Sequence, residues 1–210
     1  APFLKIKTSL GHCTIELFEQ TAPGTVSNFL RYVSSERYDE TVIHRSVSEF
    51  IIQGGWLKYS KDSKSLDPIV LDATIENEYR MSNLRGTISM AKVGGDPNSA
   101  SSQWFINLSN NTANLDTQNG GFTVFARVVG DGMRIVDQIA RIPTYNINTN
   151  IGQLQNFPLV DLSAQLTQSN FITISSIETL PDIAWPNYYD ETSNELRVKG
   201  DFGDSGLYAL

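Results

Sequence analysis

Apolar and polar residues alternate in short runs through most of the chain. In residues 3–8, Leu4 and Ile6 are separated by Lys5 and Lys7. In residues 13–18, Cys13, Ile15 and Leu17 are separated by Thr14 and Glu16. A period of two is that of a strand with one face buried. Ser9-Leu10-Gly11-His12 between these runs predicts a hairpin connection. Six more strands are expected at residues 41–47, 50–54, 86–91, 103–108, 122–129 and 171–177. A set of short strands of this kind builds a closed barrel or a sandwich.

Two segments switch to the helical period. Thr21 is placed to cap the first, with Pro23 in its opening turn and Val26, Phe29, Leu30 and Val33 on one face. The second spans residues 132–141, with Met133, Val136, Ile139 and Ala140 on one face. Pro143 stops it, because the residue before a proline is pushed out of the α region. Residues 56–81 read as an ordered excursion with few strand signals, and the Asn-rich stretch 144–168 reads as mostly loop. Residues 1–180 are expected to form one domain. Residues 181–210 form a tail; the aromatics of its first half are expected to pack on the main fold and its last ten residues to be mobile.

The chain has 210 residues, enough for one substantial core. Its net charge of −7 opposes binding to a phosphate backbone, so no nucleic-acid partner is expected. No apolar run approaches the ~20 residues of a membrane-spanning helix. Cys13 is the single cysteine and suits a small buried hydrophobe in a strand. His12 and His44 are the only histidines, and no metal-ligand spacing is present. Gly94-Gly95 and Gly120-Gly121 lack the further residues of a phosphate loop, and there is no Gly-x-Ser-x-Gly elbow. Neither a metal nor a cofactor is expected. The chain starts at Ala1-Pro2, and small residues flank signal cleavage sites. A periplasmic or secreted location is therefore expected, with the cytoplasm left open. A monomer is expected.

Four blocks combine neutral, apolar and cationic groups. They are Ile43-His44-Arg45 through Phe50 to Gln53-Gly54-Gly55; Gly86-Thr87-Ile88-Ser89-Met90-Ala91-Lys92; Ser101-Ser102-Gln103-Trp104-Phe105-Ile106; and Leu115-Asp116 with Gly121-Phe122-Thr123-Val124-Phe125. In content, order and spacing they resemble the cyclophilins, the peptidyl-prolyl cis–trans isomerases, over roughly residues 3–180. The resemblance is strongest to the bacterial, often exported branch. It implies a closed eight-stranded antiparallel β-barrel capped by two α-helices. It also implies isomerisation of X–Pro bonds in proline-containing peptides and unfolded protein clients.

By the same resemblance, Arg45, Gln53 and Phe50 are the catalytic candidates. His44, Ile51, Ala91, Lys92, Gln103, Phe105, Asn114, Leu115 and Phe122 are the substrate-binding ones. Arginine is always charged and cannot act as a base, which suits a donor to a twisted prolyl nitrogen. Phe50, Ile51, Phe105, Leu115 and Phe122 would line a pocket for the proline ring. Gln53 and Gln103 would hold the flanking peptide, and the backbone of Ala91 and Lys92 would pair with residues preceding proline. Alternation puts Phe105 opposite Trp104 and Ile106, so Phe105 points outward if those two fill the barrel. His44 is either a groove-edge donor or a structural strand residue. Ile51 replaces a Met common in relatives, and Phe122 a His of the best-known eukaryotic members. Asn114 replaces a Trp that contacts cyclosporin in the family, so weak cyclosporin binding is expected. The Gly94-Gly95-Asp96-Pro97 turn is longer than in those relatives. Two rival readings remain: a proline-binding module with little catalysis, and a scaffold or chaperone whose function resides in residues 181–210.

Overall fold

The computed structural model describes residues 2–163 and 165–181, and the tail segments 188–190, 195–199 and 207–209. The fold is mainly β with few helices. Its strands are β1 (Phe3–Thr8), β2 (Gly11–Leu17), β3 (Thr41–Val42), β4 (Arg45–Val47), β5 (Ile51–Gly54), β6 (Leu57–Ser60), β7 (Ser65–Pro68), β8 (Thr87–Met90), β9 (Trp104–Asn107), β10 (Val124–Val129), β11 (Thr144–Thr149), β12 (Gly152–Pro158) and β13 (Thr173–Leu180). The helices are α1 (Pro23–Ser34), α2 (Thr112–Leu115) and α3 (Met133–Ala140).

Eleven strands form one curled, open half-barrel in the order β4-β5-β9-β8-β10-β2-β1-β13-β3-β6-β7. The eight expected runs are all present as strands. Two differences raise the number. The expected strand 41–47 is split into β3 and β4 at Ile43-His44, and residues 56–81 contain the hairpin β6–β7. That hairpin is mostly polar, and its local pattern is weak. It forms because β6 pairs with β3 and because Leu57 and Leu66 are buried with Val42, Phe157 and Phe171 in a second core. Residues 144–158, expected as loop, pair as the hairpin β11–β12, which buries Ile147 and Phe157 in the same cluster. Tertiary contacts override local propensity at both places.

The main core lies between the concave face of the sheet and the helices. It contains Leu4, Ile15, Phe29, Trp104, Ile106 and Phe125, among others. Each such side chain contributes about 1.5–3 kcal/mol by leaving water. Cys13 belongs to this core, and desolvation pushes its thiol up to about 12, which leaves it a packing group. In α3, Ile135, Val136 and Ile139 are buried, while Met133 and Ala140 are partly buried against the core. Helix α1 is not capped by Thr21: its cap position is Ala22, which lends no side-chain hydrogen bond. The carboxylate of Glu78, in the 56–81 excursion, takes that role by accepting from Gly24 N (3.0 Å), Thr25 N (2.7 Å) and Thr25 Oγ1 (2.7 Å). Three short strands of the tail pair with one another. The expected packing of the tail aromatics, and the mobility expected of residues 201–206 and 210, lie outside the described residues.

Candidate active site

The three strands β4, β5 and β9 lie side by side. Their register sets Arg45 beside Gln53, and Gln53 beside Phe105. Alternation then sends Ile51 and Gln53 to one face of β5 and Ile52 to the other, where Ile52 joins Trp104 and Ile106 in the main core. The face carrying Arg45, Gln53 and Phe105 forms the groove.

A chain of hydrogen bonds runs along its polar side. Arg45 Nη1 donates to Gln53 Oε1 (3.4 Å), and Gln53 Nε2 donates to Gln103 Oε1 (2.8 Å). The same Gln103 oxygen lies 3.2 Å from His44 Nε2. His44 is buried, and desolvation chiefly, with a smaller push from the charge of Arg45, lowers its pKa to about 4. It is neutral at physiological pH, and its tautomer with the proton on Nε2 donates to that amide oxygen. Its ring meets Trp56 edge-on at 5.3 Å. His44 therefore sits behind Gln103 and orients it. With Gln103 Oε1 occupied by two donors, its amide NH2 is left for the groove.

The apolar side is a separate small cluster. Ile51, Phe105 and Leu115 are its buried floor, with exposures of 2%, 4% and 5%. Phe50, Ala91 and Phe122 rise around it, only partly covered. The rings of Phe105 and Phe122 meet near-perpendicularly at 5.8 Å. Leu115 comes from α2, whose last turn is tied to the next wall by Phe122 N donating to Leu115 O (2.9 Å). Phe50 is held by its carbonyl, which accepts from Leu108 N and Asn111 Nδ2, each at 2.9 Å. An apolar floor with a few convergent polar groups at its rim is the usual make-up of a small-ligand site.

Three other expected residues are held by nearby partners. The N–H of Ala91 donates to Gln103 O (2.9 Å). Lys92 turns its ammonium onto Asn119 O (2.7 Å) and Gly121 O (2.6 Å), and onto the face of the Phe122 ring. Asn114 is exposed on α2 and accepts from Gln118 Nε2. Residues not singled out in the sequence support the floor from beneath. Asn83 Nδ2 donates to Asp116 Oδ1 (2.9 Å) and Phe122 O (3.1 Å), and Asn111 Nδ2 also reaches Asn107 Oδ1 (2.8 Å). Buried asparagines carry no sequence pattern that separates them from loop asparagines. Among the described residues there is no group of three or more His, Cys, Asp or Glu able to hold a metal ion, and no helix long and apolar enough to cross a membrane.

Comparison with known proteins gives a consistent picture. The family model described as cyclophilin type peptidyl-prolyl cis-trans isomerase/CLD matches residues 3–162. A peptidyl-prolyl cis-trans isomerase of Acinetobacter baylyi is 36% identical over 80% of this chain and 86% of its own length. Peptidyl-prolyl cis-trans isomerase A of Dickeya dadantii is 39% identical over 73% of this chain and 76% of its own. Among solved structures, a cyclophilin type isomerase of Cryptosporidium parvum superposes with a TM-score of 0.64 at 24% identity, over 86% of this chain and 98% of that one. That likeness concerns the fold. A further structure of that protein, in the presence of the dipeptide Ala-Pro, superposes with a TM-score of 0.62 at 23% identity, over 85% of this chain and 99% of that one.

Proposed function

The chain belongs to the cyclophilin-type peptidyl-prolyl cis–trans isomerases and accelerates rotation about X–Pro bonds, and we propose that Arg45 drives that rotation from the rim of the Ile51–Phe105–Leu115 floor. Amide resonance sets a barrier of ~20 kcal/mol, so the uncatalysed bond turns over in tens to hundreds of seconds. No covalent bond breaks, and the enzyme need only hold the twisted amide better than either planar form. Twisting returns the lone pair to the prolyl nitrogen. A cation with fixed donors gains most at that moment. Arg45 meets the requirement, since Gln53 holds its guanidinium in place.

The proline ring rests on the apolar floor in both planar isomers and in the twisted state. Gln103, oriented by His44 and Gln53, presents its NH2 to the peptide backbone on one side of the bond. The substrate class is X–Pro peptides and unfolded chains; a related cyclophilin was crystallised in the presence of Ala-Pro. We also read the curled sheet as closing into an eight-stranded barrel through residues 41–47, the segment that carries Arg45. Ile43 N donating to Ile172 O (2.9 Å) and His44 N donating to Gln53 O (3.1 Å) support that closure. We place the chain in the bacterial branch, a reading supported by relatives at 36% and 39% identity from two bacteria.

The observation that carries the assignment of roles is the single guanidinium fixed by a glutamine at the edge of an apolar floor. A protease-coupled isomerisation assay on Arg45→Ala tests it. Loss of rate with retained peptide binding supports catalysis by Arg45. Equally slow rates in wild type and variant leave only a proline-binding module, and equally fast rates remove Arg45 from the chemistry.

A further inference from the structure

Phe122 is a partly covered aromatic packed edge-on against the floor residue Phe105, and the chain enters it by an unusual path. The three residues before it all have left-handed backbone: Asn119 (φ 50°), Gly120 (φ 77°) and Gly121 (φ 77°). A single left-handed residue is common in a turn. Glycine takes positive φ freely, but the neighbouring non-glycine Asn119 does so at a cost, and contacts from outside the segment hold this path.

Two side chains from other loops do so. Lys92 Nζ donates to Asn119 O (2.7 Å) and Gly121 O (2.6 Å), and lies 4.7 Å from the centre of the Phe122 ring. Asn77 Nδ2 donates to Gly120 O (2.8 Å) and Gly121 O (3.1 Å), while its Oδ1 accepts from Thr123 Oγ1 (2.7 Å). The carbonyls of all three left-handed residues are thus taken. Asn77 is itself fixed, because its N–H donates to Asn98 Oδ1 (2.9 Å). The Tyr79 ring fills the space above Gly121, where a Cβ would come within 2.4 Å of it. Burial of the Lys92 ammonium lowers its pKa, so the charge has given up water to make these contacts.

We propose that Lys92 and Asn77 are positioning residues of the isomerase: they clamp the 119–121 turn and so preset Phe122 as a fixed wall of the proline pocket. This rests on the placement of the pocket at Ile51, Phe105 and Leu115. It gives the 56–81 excursion, which supplies Asn77, a functional task. Lys92 acts here through its side chain on the wall. The pocket holds the proline ring equally in the planar and twisted states, so the clamp contributes uniform binding. Its loss should appear in KM, whereas loss of Arg45 should appear in kcat.

The test is kcat and KM for an X–Pro peptide, measured well below each variant's melting temperature. The variants are Lys92→Met, Lys92→Arg, Asn77→Ala and Arg45→Ala. Lys92→Met and Asn77→Ala should each raise KM about 10-fold with kcat within about 2-fold of wild type. Lys92→Arg should return KM to within about 3-fold, because a guanidinium can span both carbonyls and lie over the ring. Thermal melts identify any variant that has lost its fold, and Asn77→Ala decides the matter should Lys92→Met do so. A wild-type KM in folded Lys92→Met or Asn77→Ala overturns the proposal, as does Lys92→Arg being as impaired as Lys92→Met. Arg45→Ala reports on the site separately: if it retains full kcat, the reading of the site fails, whatever the clamp variants do.

Discussion

Replacing Phe105 with alanine separates groove from core in a way no other single change does. Phe105 and Trp104 are neighbours on β9, both nearly inaccessible at 4% and 1% exposure, yet they belong to different clusters. Trp104 packs in the main core, and a truncation there leaves a closed cavity costing about 3–5 kcal/mol. Phe105 packs in the groove cluster with Ile51, Leu115, Phe50, Ala91 and Phe122, where water or a shifted Phe122 can fill the space. Its stability cost should be about half as large. Its functional cost should be greater. A proline ring carries three methylenes, each contributing about 0.8 kcal/mol on full burial. Losing most of that contact removes about 2 kcal/mol, or about 30-fold in kcat/KM at about 1.4 kcal/mol per tenfold. The assay pairs urea unfolding with coupled isomerisation kinetics for Phe105→Ala and Trp104→Ala. If Phe105→Ala unfolds as readily as Trp104→Ala while keeping wild-type kcat/KM, Phe105 is an ordinary core residue and the pocket lies elsewhere.

Three other outcomes follow from particular contacts. His44 has its folded pKa lowered to about 4 from an ordinary 6.5, so the unfolded chain binds the proton first. Its contribution is complete above pH 6.5 and is lost as pH falls towards 4, by up to about 3 kcal/mol. His44→Gln should flatten that part of the stability–pH curve, and parallel curves for the two proteins would exclude the buried neutral histidine. Glu78→Ala should destabilise the protein by about 1 kcal/mol, read as a lower urea midpoint, because two N–H groups at the start of α1 lose their acceptor; an unchanged midpoint would show the contact to be idle. Asn114 is exposed, and the family resemblance sets it where the best-known eukaryotic members have tryptophan, so cyclosporin should inhibit weakly. Asn114→Trp should lower the inhibitory concentration at least about 10-fold, the effect of about 1.4 kcal/mol; no change would detach this position from the inhibitor surface.

Much of the fold was legible because its strands are regular. The alternations at Leu4–Ile6 and Cys13–Ile15–Leu17 appear as β1 and β2, and the stripe of Val26, Phe29 and Val33 is the buried face of α1. The two hairpins were not legible. Leu57 and Leu66, or Ile147 and Phe157, make strands only because another hairpin buries them. Arg45, Gln53, Phe105 and Phe122 could be picked out because their blocks have a recognisable order, and the structure brings them onto one face. Lys92 illustrates what a pattern leaves out. From sequence only its backbone has an expected role, and the left-handed turn at 119–121 shows where its charge goes. The same holds for Glu78, whose partner Gly24 lies far back in the chain.

The central claim is that Arg45 favours the twisted amide over the planar one. It is tested most directly by measuring kcat for an X–Pro peptide alongside the dissociation constant of that peptide, in wild type, Arg45→Lys and Arg45→Ala. Donors aimed at transition-state charge contribute about 100-fold or more. Arg45→Ala should therefore lose about 100-fold in kcat while its dissociation constant changes only a few-fold. Arg45→Lys, which keeps the charge but not the fixed fork, should fall between. An Arg45→Ala protein with wild-type kcat, or one whose loss lies wholly in peptide binding, would contradict the account.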